Sequence, residues 1–237
     1  MRCRYCSLLL VVLCAVAQAY TRFEDGYADV VWNNLTGWSS YQSVKMGVEQ
    51  GPDQLYGMLT NEYYDTRGTR LLYQYNTQGT TLGIGYRHWF PGKHFFGTVS
   101  VGEGVVGANA GRFDLRMGFA GYDAWEQEKT KRFTDLYGEY FYVGRASDTF
   151  ASVRYRPGIT LLKDETGRLW MYGVGQLWLS GTGENGTDNR LEVGPGIGYV
   201  YRGRVSFNFD LREGYVLRGT TTQRSYFNPT IVLAGNF

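Results

Sequence analysis

Residues 112–119 read Arg-Phe-Asp-Leu-Arg-Met-Gly-Phe, and residues 205–212 read Val-Ser-Phe-Asn-Phe-Asp-Leu-Arg. In both stretches every second side chain is apolar, and those between are charged, polar or glycine. Successive side chains of a β-strand point to opposite faces of a sheet, so a period of two predicts strands with one apolar and one polar face. Residues 151–156 follow the same rule, with Ala151, Val153 and Tyr155 on the apolar face.

The composition supports β-structure. The 237 residues include 33 Gly and only 5 Pro, and aromatic residues make up 16% of the chain. So many aromatic residues exclude a disordered chain, and so much glycine argues against a helical bundle because glycine destabilises helix interiors.

The alternating segments, separated by turn-forming residues, predict an all-β fold of about twelve strands, with ten to fourteen as the bounds. The predicted strands lie near 39–49, 55–65, 69–76, 80–90, 94–104, 111–121, 132–143, 149–162, 168–180, 190–202, 205–217 and 226–237.

Regular hairpins fit either a soluble β-sandwich or a membrane β-barrel, and strand length separates the two. Sandwich strands usually have five or six residues, whereas a tilted strand that spans a bilayer needs about 9–11. Most segments here have 9–13 residues. We therefore expect a transmembrane antiparallel up-and-down β-barrel over residues 39–237.

The two ends of the chain point to the outer membrane of a Gram-negative bacterium. Arg2 and Arg4, a short apolar run and Ala17-Gln18-Ala19 predict a signal peptide over residues 1–19, cleaved near Ala19. A lipid attached at Cys14 is an alternative. Residues 20–38 are predicted to form a periplasmic segment ahead of the barrel. The last strand ends in an aromatic residue and resembles the assembly signal read by the barrel-assembly machinery, carried by Phe227, Ile231, Leu233 and Phe237.

Cleavage near Ala19 changes the charge and cysteine counts. Cys3, Cys6 and Cys14 all lie in the predicted signal peptide, so the mature chain has no disulfide. It keeps 22 acidic and 22 basic residues, which gives no basic footprint for nucleic acid.

The alternation assigns the two faces of the predicted barrel. Apolar residues such as Val205, Phe207, Ile197 and Leu82 are expected to face outer-membrane lipid, which is a predicted partner of the barrel. The predicted pore-lining residues are Arg70, Arg87, Arg112, Asp114, Arg116, Asp135, Glu139, Arg154, Arg156, Glu192, Asp210 and Arg212. Seven of them are Arg, five are acidic and none is Lys. This set fits a channel for an anionic or sugar-like substrate, or an ion-pair network that braces a narrow, filled barrel.

The tryptophans allow two interpretations. Trp32, Trp38, Trp89, Trp125, Trp170 and Trp178 suit aromatic girdles at the membrane surfaces. Alternatively, Trp170, Tyr172 and Trp178 share a face with Gln176, which would suit a platform for sugar stacking. The girdle is the preferred interpretation.

Catalysis has little support in the sequence. His88 and His94 flank the Pro91-Gly92 turn, and no Ser or acidic residue is predicted beside either of them. No cofactor or metal site is predicted, and Asp164-Glu165 is expected to be a solvated turn with calcium binding as the weaker alternative.

The last third of the chain resembles the C-terminal barrel of NfrA-type phage-adsorption proteins. The resemblance lies in residues 190–195, 204–212 and 228–237, with weaker matches at 137–144 and 154–158. It implies an outer-membrane protein that is tied to surface polysaccharide secretion and serves as a phage adsorption site. We therefore expect a non-enzymatic barrel that takes part in exopolysaccharide secretion, together with a polysaccharide and a periplasmic export partner. A small porin for acidic oligosaccharides is the alternative, and a lipid-modifying barrel enzyme is a third possibility.

Overall fold

The computed structural model describes residues 21–34, 37–65, 76–92, 95–107, 110–121, 131–143, 148–181, 189–218 and 225–236. Within them lie twelve antiparallel strands that form one closed barrel. The strands are β1 (Thr21–Asn33), β2 (Gly37–Gln50), β3 (Asp53–Asp65), β4 (Asn76–Trp89), β5 (Phe95–Gly107), β6 (Phe113–Gly121), β7 (Arg132–Val143), β8 (Asp148–Lys163), β9 (Gly167–Ser180), β10 (Asn189–Tyr201), β11 (Val205–Arg218) and β12 (Ser225–Asn236). The prediction of a transmembrane up-and-down barrel is confirmed. The described residues contain no helix long and apolar enough to cross a membrane.

The segment predicted to precede the barrel is instead part of it. Residues 21–33 form β1, which pairs with β2 over its whole length and closes the barrel against β12 from Tyr27↔Asn236 to Asn33↔Thr230. The prediction missed β1 because its inward face carries both aromatic and acidic residues, as at Phe23 and Asp25. Apolar and polar residues therefore do not alternate along β1, although its side chains alternate between the two faces.

The other predicted strands match the structure closely, with one exception. The strand predicted near 69–76 falls largely outside the described residues, and β3 pairs directly with β4, from Asp53↔His88 to Asp65↔Asn76. The signal peptide, Arg70, His94, Trp125 and Phe237 also lie outside the described residues.

Tight hairpins connect strands at the end of the barrel where β1 begins and β12 ends, which we call the terminal end. Only Gly51 and Pro52 separate β2 from β3. Arg202 and Gly203 join β10 to β11 with φ of 47° and 68°. Positive φ at both central residues defines the type I′ turn, whose twist matches that of the flanking strands.

The outer face of the barrel is apolar, as the alternation predicted. Val205, Phe207, Ile197 and Leu82 are all exposed there, and Ile84 is 62% exposed. Phe227 and Leu233 of the predicted assembly signal also face outward on β12 and are exposed, with Ile231 half-buried between them. A belt of this kind is what a bilayer covers.

Inward-facing glycines allow aromatic rings to lie flat against the neighbouring strand. A Cβ at Gly85 would overlap the Tyr56 ring, and one at Gly214 would overlap the Tyr226 ring. Gly173 and Gly175 differ, because they lie on the outer side of β9, where an added Cβ would meet no heavy atom within 4 Å.

Candidate functional site in the barrel interior

The inward face of the strands carries most of the buried charge. The inward-facing acids that the structure describes, leaving out exposed side chains, are Asp25, Asp29, Glu49, Glu62, Asp114, Asp135, Glu139, Asp148, Glu192 and Asp210, and the bases are Lys45, Arg87, Arg116, Arg154, Arg156, Arg168, Arg190 and Arg212. The inward face of the described strands therefore carries ten acids and eight bases. Beyond the predicted set, the described strands add five inward acids and three inward bases, among them Lys45.

Ten of the twelve predicted pore-lining residues lie on this inward face, from Arg87 on β4 to Arg212 on β11. Arg112 does not, since it is exposed in the connection ahead of β6, which begins at Phe113. Arg70 lies outside the described residues. The additional inward charges, such as Asp25 and Lys45, lie on β1 and β2, where polar residues occur on both faces and alternation gives no clear assignment.

Glu192 is the centre of a buried network on β9–β12, the Glu192 network. Its carboxylate accepts hydrogen bonds from Arg212 Nη1 (3.1 Å), Tyr226 Oη (3.0 Å), Asn228 Nδ2 (3.1 Å) and Arg190 Nε (3.3 Å). Glu192 is 2% exposed. A carboxylate removed from water to this degree is stable only when its lone pairs are satisfied, as they are here.

The Glu192 network continues through Arg212 to Asp210. Arg212 Nε lies 3.0 Å from Asp210 Oδ2, and Tyr172 Oη donates to Asp210 Oδ1 at 2.6 Å. Arg156 lies over the Tyr172 ring, 5.2 Å from its centroid, and donates through Nε to Asp135 Oδ2 at 2.6 Å. Five consecutive strands, β7 to β11, are thus tied together inside the barrel.

A second cluster lies on the opposite wall. Arg87 Nη2 on β4 lies 2.8 Å from Asp25 Oδ2 on β1, three strands away. Its guanidinium also faces the rings of Tyr56, Trp89 and Phe96, the last at 4.8 Å. Cation–π contacts of this kind hold an arginine in place after it leaves water.

Some inward charges remain partly accessible to water. Arg116, Glu139 and Arg154 have side chains 19%, 23% and 24% exposed, and Asp25 is 33% exposed. We call these four residues the accessible track. Arg116 binds Glu62 and lies 3.7 Å from Glu139. Arg116, Glu139 and Arg154 lie on the neighbouring strands β6, β7 and β8, and Asp25 lies apart from them on β1, whereas the Glu192 network lies beside β9–β12.

Side chains from strands three apart meet inside the lumen, since Arg116 on β6 binds Glu62 on β3 and Arg87 on β4 binds Asp25 on β1. Arg154 lies over the Tyr137 ring at 5.6 Å. Two buried polar atoms beside the track, Arg154 Nε and Asp135 Oδ1, have no hydrogen-bond partner among the described residues.

Tryptophans occur on both faces of the wall. Trp32 and Trp38 are cross-strand partners that face outward near the end opposite the termini, where a girdle is expected. Trp89, Trp170 and Trp178 instead face inward, each covered by an arginine guanidinium. The girdle interpretation is therefore wrong for these three residues, and Trp170 packs with Phe133, Tyr172 and Val174 in a buried apolar cluster.

The outer face also departs from expectation at His88. Its Nδ1 lies 2.8 Å from Asp53 Oδ1, although the sequence suggested no acidic partner. The pairing was missed because it depends on the register of β3 with β4, which places Asp53 opposite His88. No serine contact to His88 is found within the described part of the chain.

Asp164 stabilises the β8–β9 turn. Its Oδ1 accepts hydrogen bonds from Thr166 Oγ1 (2.6 Å), Thr166 N (2.7 Å) and Gly167 N (2.9 Å). These donors lower the pKa of Asp164, the Thr166 hydroxyl most strongly. The described residues contain no group of three or more His, Cys, Asp or Glu side chains placed to hold a metal ion.

Comparison with known proteins supports the fold of this chain but assigns the chain to no family. No protein-family model matches the chain, and no curated protein matches its sequence. Among solved structures, LpxR from Salmonella typhimurium is 8% identical, covers 89% of this chain and 99% of its own, and has a TM-score of 0.50. The β-domain of the Bordetella autotransporter BrkA is 11% identical and has a TM-score of 0.47; the match covers 92% of this chain and 99% of the BrkA domain. A bacterial polysaccharide outer-membrane secretin is 9% identical and has a TM-score of 0.47; the match covers 90% of this chain and 98% of the secretin chain. The chain has the fold of an outer-membrane β-barrel.

Proposed function

We propose that this protein is a narrow outer-membrane conduit that takes part in the secretion of a surface polysaccharide. The observation that carries the proposal is the accessible track, which runs beside a wall of buried, paired charges. An extended sugar chain presents hydroxyl groups that both donate and accept hydrogen bonds. The partly exposed guanidinium groups of Arg116 and Arg154 offer donors, and the partly exposed carboxylate of Glu139 offers acceptors, to such a chain.

The charge balance favours this function over the alternative porin for acidic oligosaccharides. Ten inward acids against eight inward bases in the described strands give the lumen a small negative excess, which repels anions. Ion pairs between strands three apart, Arg116 with Glu62 and Arg87 with Asp25, also narrow the lumen, which limits free diffusion of bulky solutes. A narrow lumen suits a chain that is threaded in one extended conformation.

The hairpins support an orientation with the terminal end in the periplasm. Bacterial barrels have short periplasmic turns and longer extracellular loops. At the terminal end, the connections β2–β3, β8–β9 and β10–β11 have two or three residues, while β4–β5 has five and β6–β7 has ten. At the opposite end, residues 66–75 and 181–188 connect β3 to β4 and β9 to β10. In this orientation a periplasmic export partner would dock at the short turns. A phage, as the NfrA-type resemblance implies, would adsorb at the opposite end.

Single cysteines test the proposed conduit, since the native cysteines are confined to Cys3, Cys6 and Cys14. Arg154→Cys should react with a charged thiol reagent and thereby lower the conductance of the protein in planar bilayers. Thr230→Cys, at a position 4% exposed on β12, is the matched control and should stay unreactive. A neutral hexasaccharide should block the residual current at least as well as an acidic one.

The opposite results would refute the conduit. A barrel with no measurable conductance, in which Arg154→Cys stays unreactive, would be a filled structural barrel. Selective block by the acidic sugar would favour the porin. Hydrolysis of lipopolysaccharide by the refolded protein, abolished by His88→Ala, would make it an enzyme.

A further inference from the structure

An ion pair occupies the lipid-facing side of the barrel at the terminal end. His88 Nδ1 lies 2.8 Å from Asp53 Oδ1, and Tyr86 Oη donates to the same oxygen. The His88 and Asp53 side chains are 39% and 47% exposed. Tyr86 is an aromatic residue of the kind found where a barrel meets the membrane surface, and the Phe90 ring centroid lies 5.2 Å from that of His88. The ion pair therefore lies at the level of lipid headgroups.

An apolar groove begins at this ion pair. Its volume is about 540 Å³, and it starts at Tyr86 and His88 on β4 and ends at Val153 on β8. Gly97 keeps the groove open on β5, while Met117 and Phe119 line it on β6. Four steps between neighbouring strands of about 4.8 Å make it roughly 19 Å long. That is the length of one fatty acyl chain, and the groove runs from the headgroup level toward the middle of the barrel wall.

The ion pair has two unused polar atoms. Asp53 Oδ2 and His88 Nε2 make no hydrogen bond to any part of the chain that the structure describes. A carboxylate oxygen binds an ammonium group well, and Nε2 of a protonated imidazole donates to a phosphate oxygen. With the imidazole protonated, the pair presents one negative and one positive group side by side, the complement of a zwitterionic headgroup. An anionic headgroup such as phosphatidylglycerol would face the Asp53 carboxylate without an ammonium to satisfy it.

We propose that this groove binds one phosphatidylethanolamine molecule. One acyl chain lies in the groove between β4 and β8, the ammonium group binds Asp53, and the phosphate binds His88. The groove opens on the outer face of the barrel, although the lumen-facing Glu139 also borders it, and its lipid binding does not depend on whether the barrel conducts a polysaccharide.

Native mass spectrometry of the detergent-purified full-length barrel tests the proposal. The protein is mixed with phosphatidylethanolamine and phosphatidylglycerol that carry identical acyl chains. We expect one retained phosphatidylethanolamine per barrel, with phosphatidylglycerol retained about tenfold less, as loss of one charge-assisted hydrogen bond predicts. Asp53→Asn should remove this preference, and Gly97→Leu should reduce retention of both lipids by filling the groove.

Gly173→Leu is the matched control for Gly97→Leu. Both glycines face outward, a Cβ at Gly97 would make only ordinary contacts at 3.7 Å and 3.9 Å, and a Cβ at Gly173 would meet nothing within 4 Å. Both variants should fold, and Gly173→Leu should retain phosphatidylethanolamine normally. Equal retention of the two lipids, or equal effects of Gly97→Leu and Gly173→Leu, would overturn the proposal. Conversion of the lipid to a lyso-product would also overturn it, because the groove would then be an active site.

Discussion

Tyr172 on β9 donates a 2.6 Å hydrogen bond to Asp210 on β11, although β10 lies between the two strands. The bond reaches over Gly196, where a Cβ would overlap both the Tyr172 ring and Asp210 Oδ1. Only a glycine on β10 leaves room for this hydrogen bond, which links β9 to β11 inside the barrel.

This relationship predicts a large effect from a small substitution. Gly196→Ala should lower the free energy of unfolding by about 1–3 kcal/mol, because an added methyl group in a packed interior displaces its neighbours. Gly173→Ala, on the open outer side of β9, should change it little. Urea unfolding in lipid bilayers, followed by tryptophan fluorescence, measures both. Equal effects would mean that the packing over Gly196 contributes no stability.

Glu192 is predicted to be essential to the buried network. Glu192→Ala leaves Arg190 and Arg212 buried without their shared carboxylate, and breaking a buried ion pair in this way costs about 3–5 kcal/mol. Glu213→Ala removes an exposed, outward-facing acid and should cost less than about 1 kcal/mol. The same unfolding assay measures the stability of both variants. A Glu192→Ala variant as stable as Glu213→Ala would contradict the assigned role of the network.

Eleven of the twelve strands could be predicted because lipid and lumen impose opposite polarity on the two faces of each strand. β1 could not, because Arg22 and Glu24 face outward near its start while Phe23 and Tyr27 face inward. The positions of single charges followed from alternation, but their partners did not. Contacts such as Arg87–Asp25 join strands that are distant in sequence, and they depend on the tilt and register of the closed barrel.

The place of β1 in the barrel can be tested by deletion. Removal of residues 21–33 should prevent folding, since both β2 and β12 would lose a partner and the barrel would keep two open edges. A flexible Gly/Ser linker of the same length inserted before Thr21 should be tolerated. The shift in mobility of unheated protein on SDS gels reports folding. A folded deletion variant would mean that residues 21–33 lie outside the barrel, as the sequence alone suggested.

Arg154 is predicted to control ion selectivity. Arg154→Ala removes a positive charge from a lumen that already has more acids than bases, so the reversal potential in a salt gradient should shift toward cations and the conductance should rise. Arg168→Ala removes an equal charge next to the β8–β9 turn, where its guanidinium lies 4.5 Å from the Trp170 ring centroid, and should shift selectivity less. Identical shifts in both variants would show that net charge, rather than the position of Arg154, sets selectivity.

The β8–β9 turn gives a prediction about pH. Hydrogen bonds from Thr166 and the Gly167 amide stabilise the ionised carboxylate of Asp164, so its pKa is lower in the folded barrel than the value near 3.9 of an unfolded chain. The carboxylate therefore stabilises the turn at every pH above that unfolded value. This contribution declines only as the pH falls through the lowered pKa.

A carboxyl-carbon NMR titration of the barrel in detergent measures this effect. The pKa of Asp164 should lie below the ordinary value of an aspartate. Thr166→Val removes the hydroxyl donor and should raise the pKa of Asp164 while it keeps both backbone hydrogen bonds. An unchanged pKa in Thr166→Val would mean that the backbone amides alone hold the carboxylate, and that the side chain of Thr166 has no part in the turn.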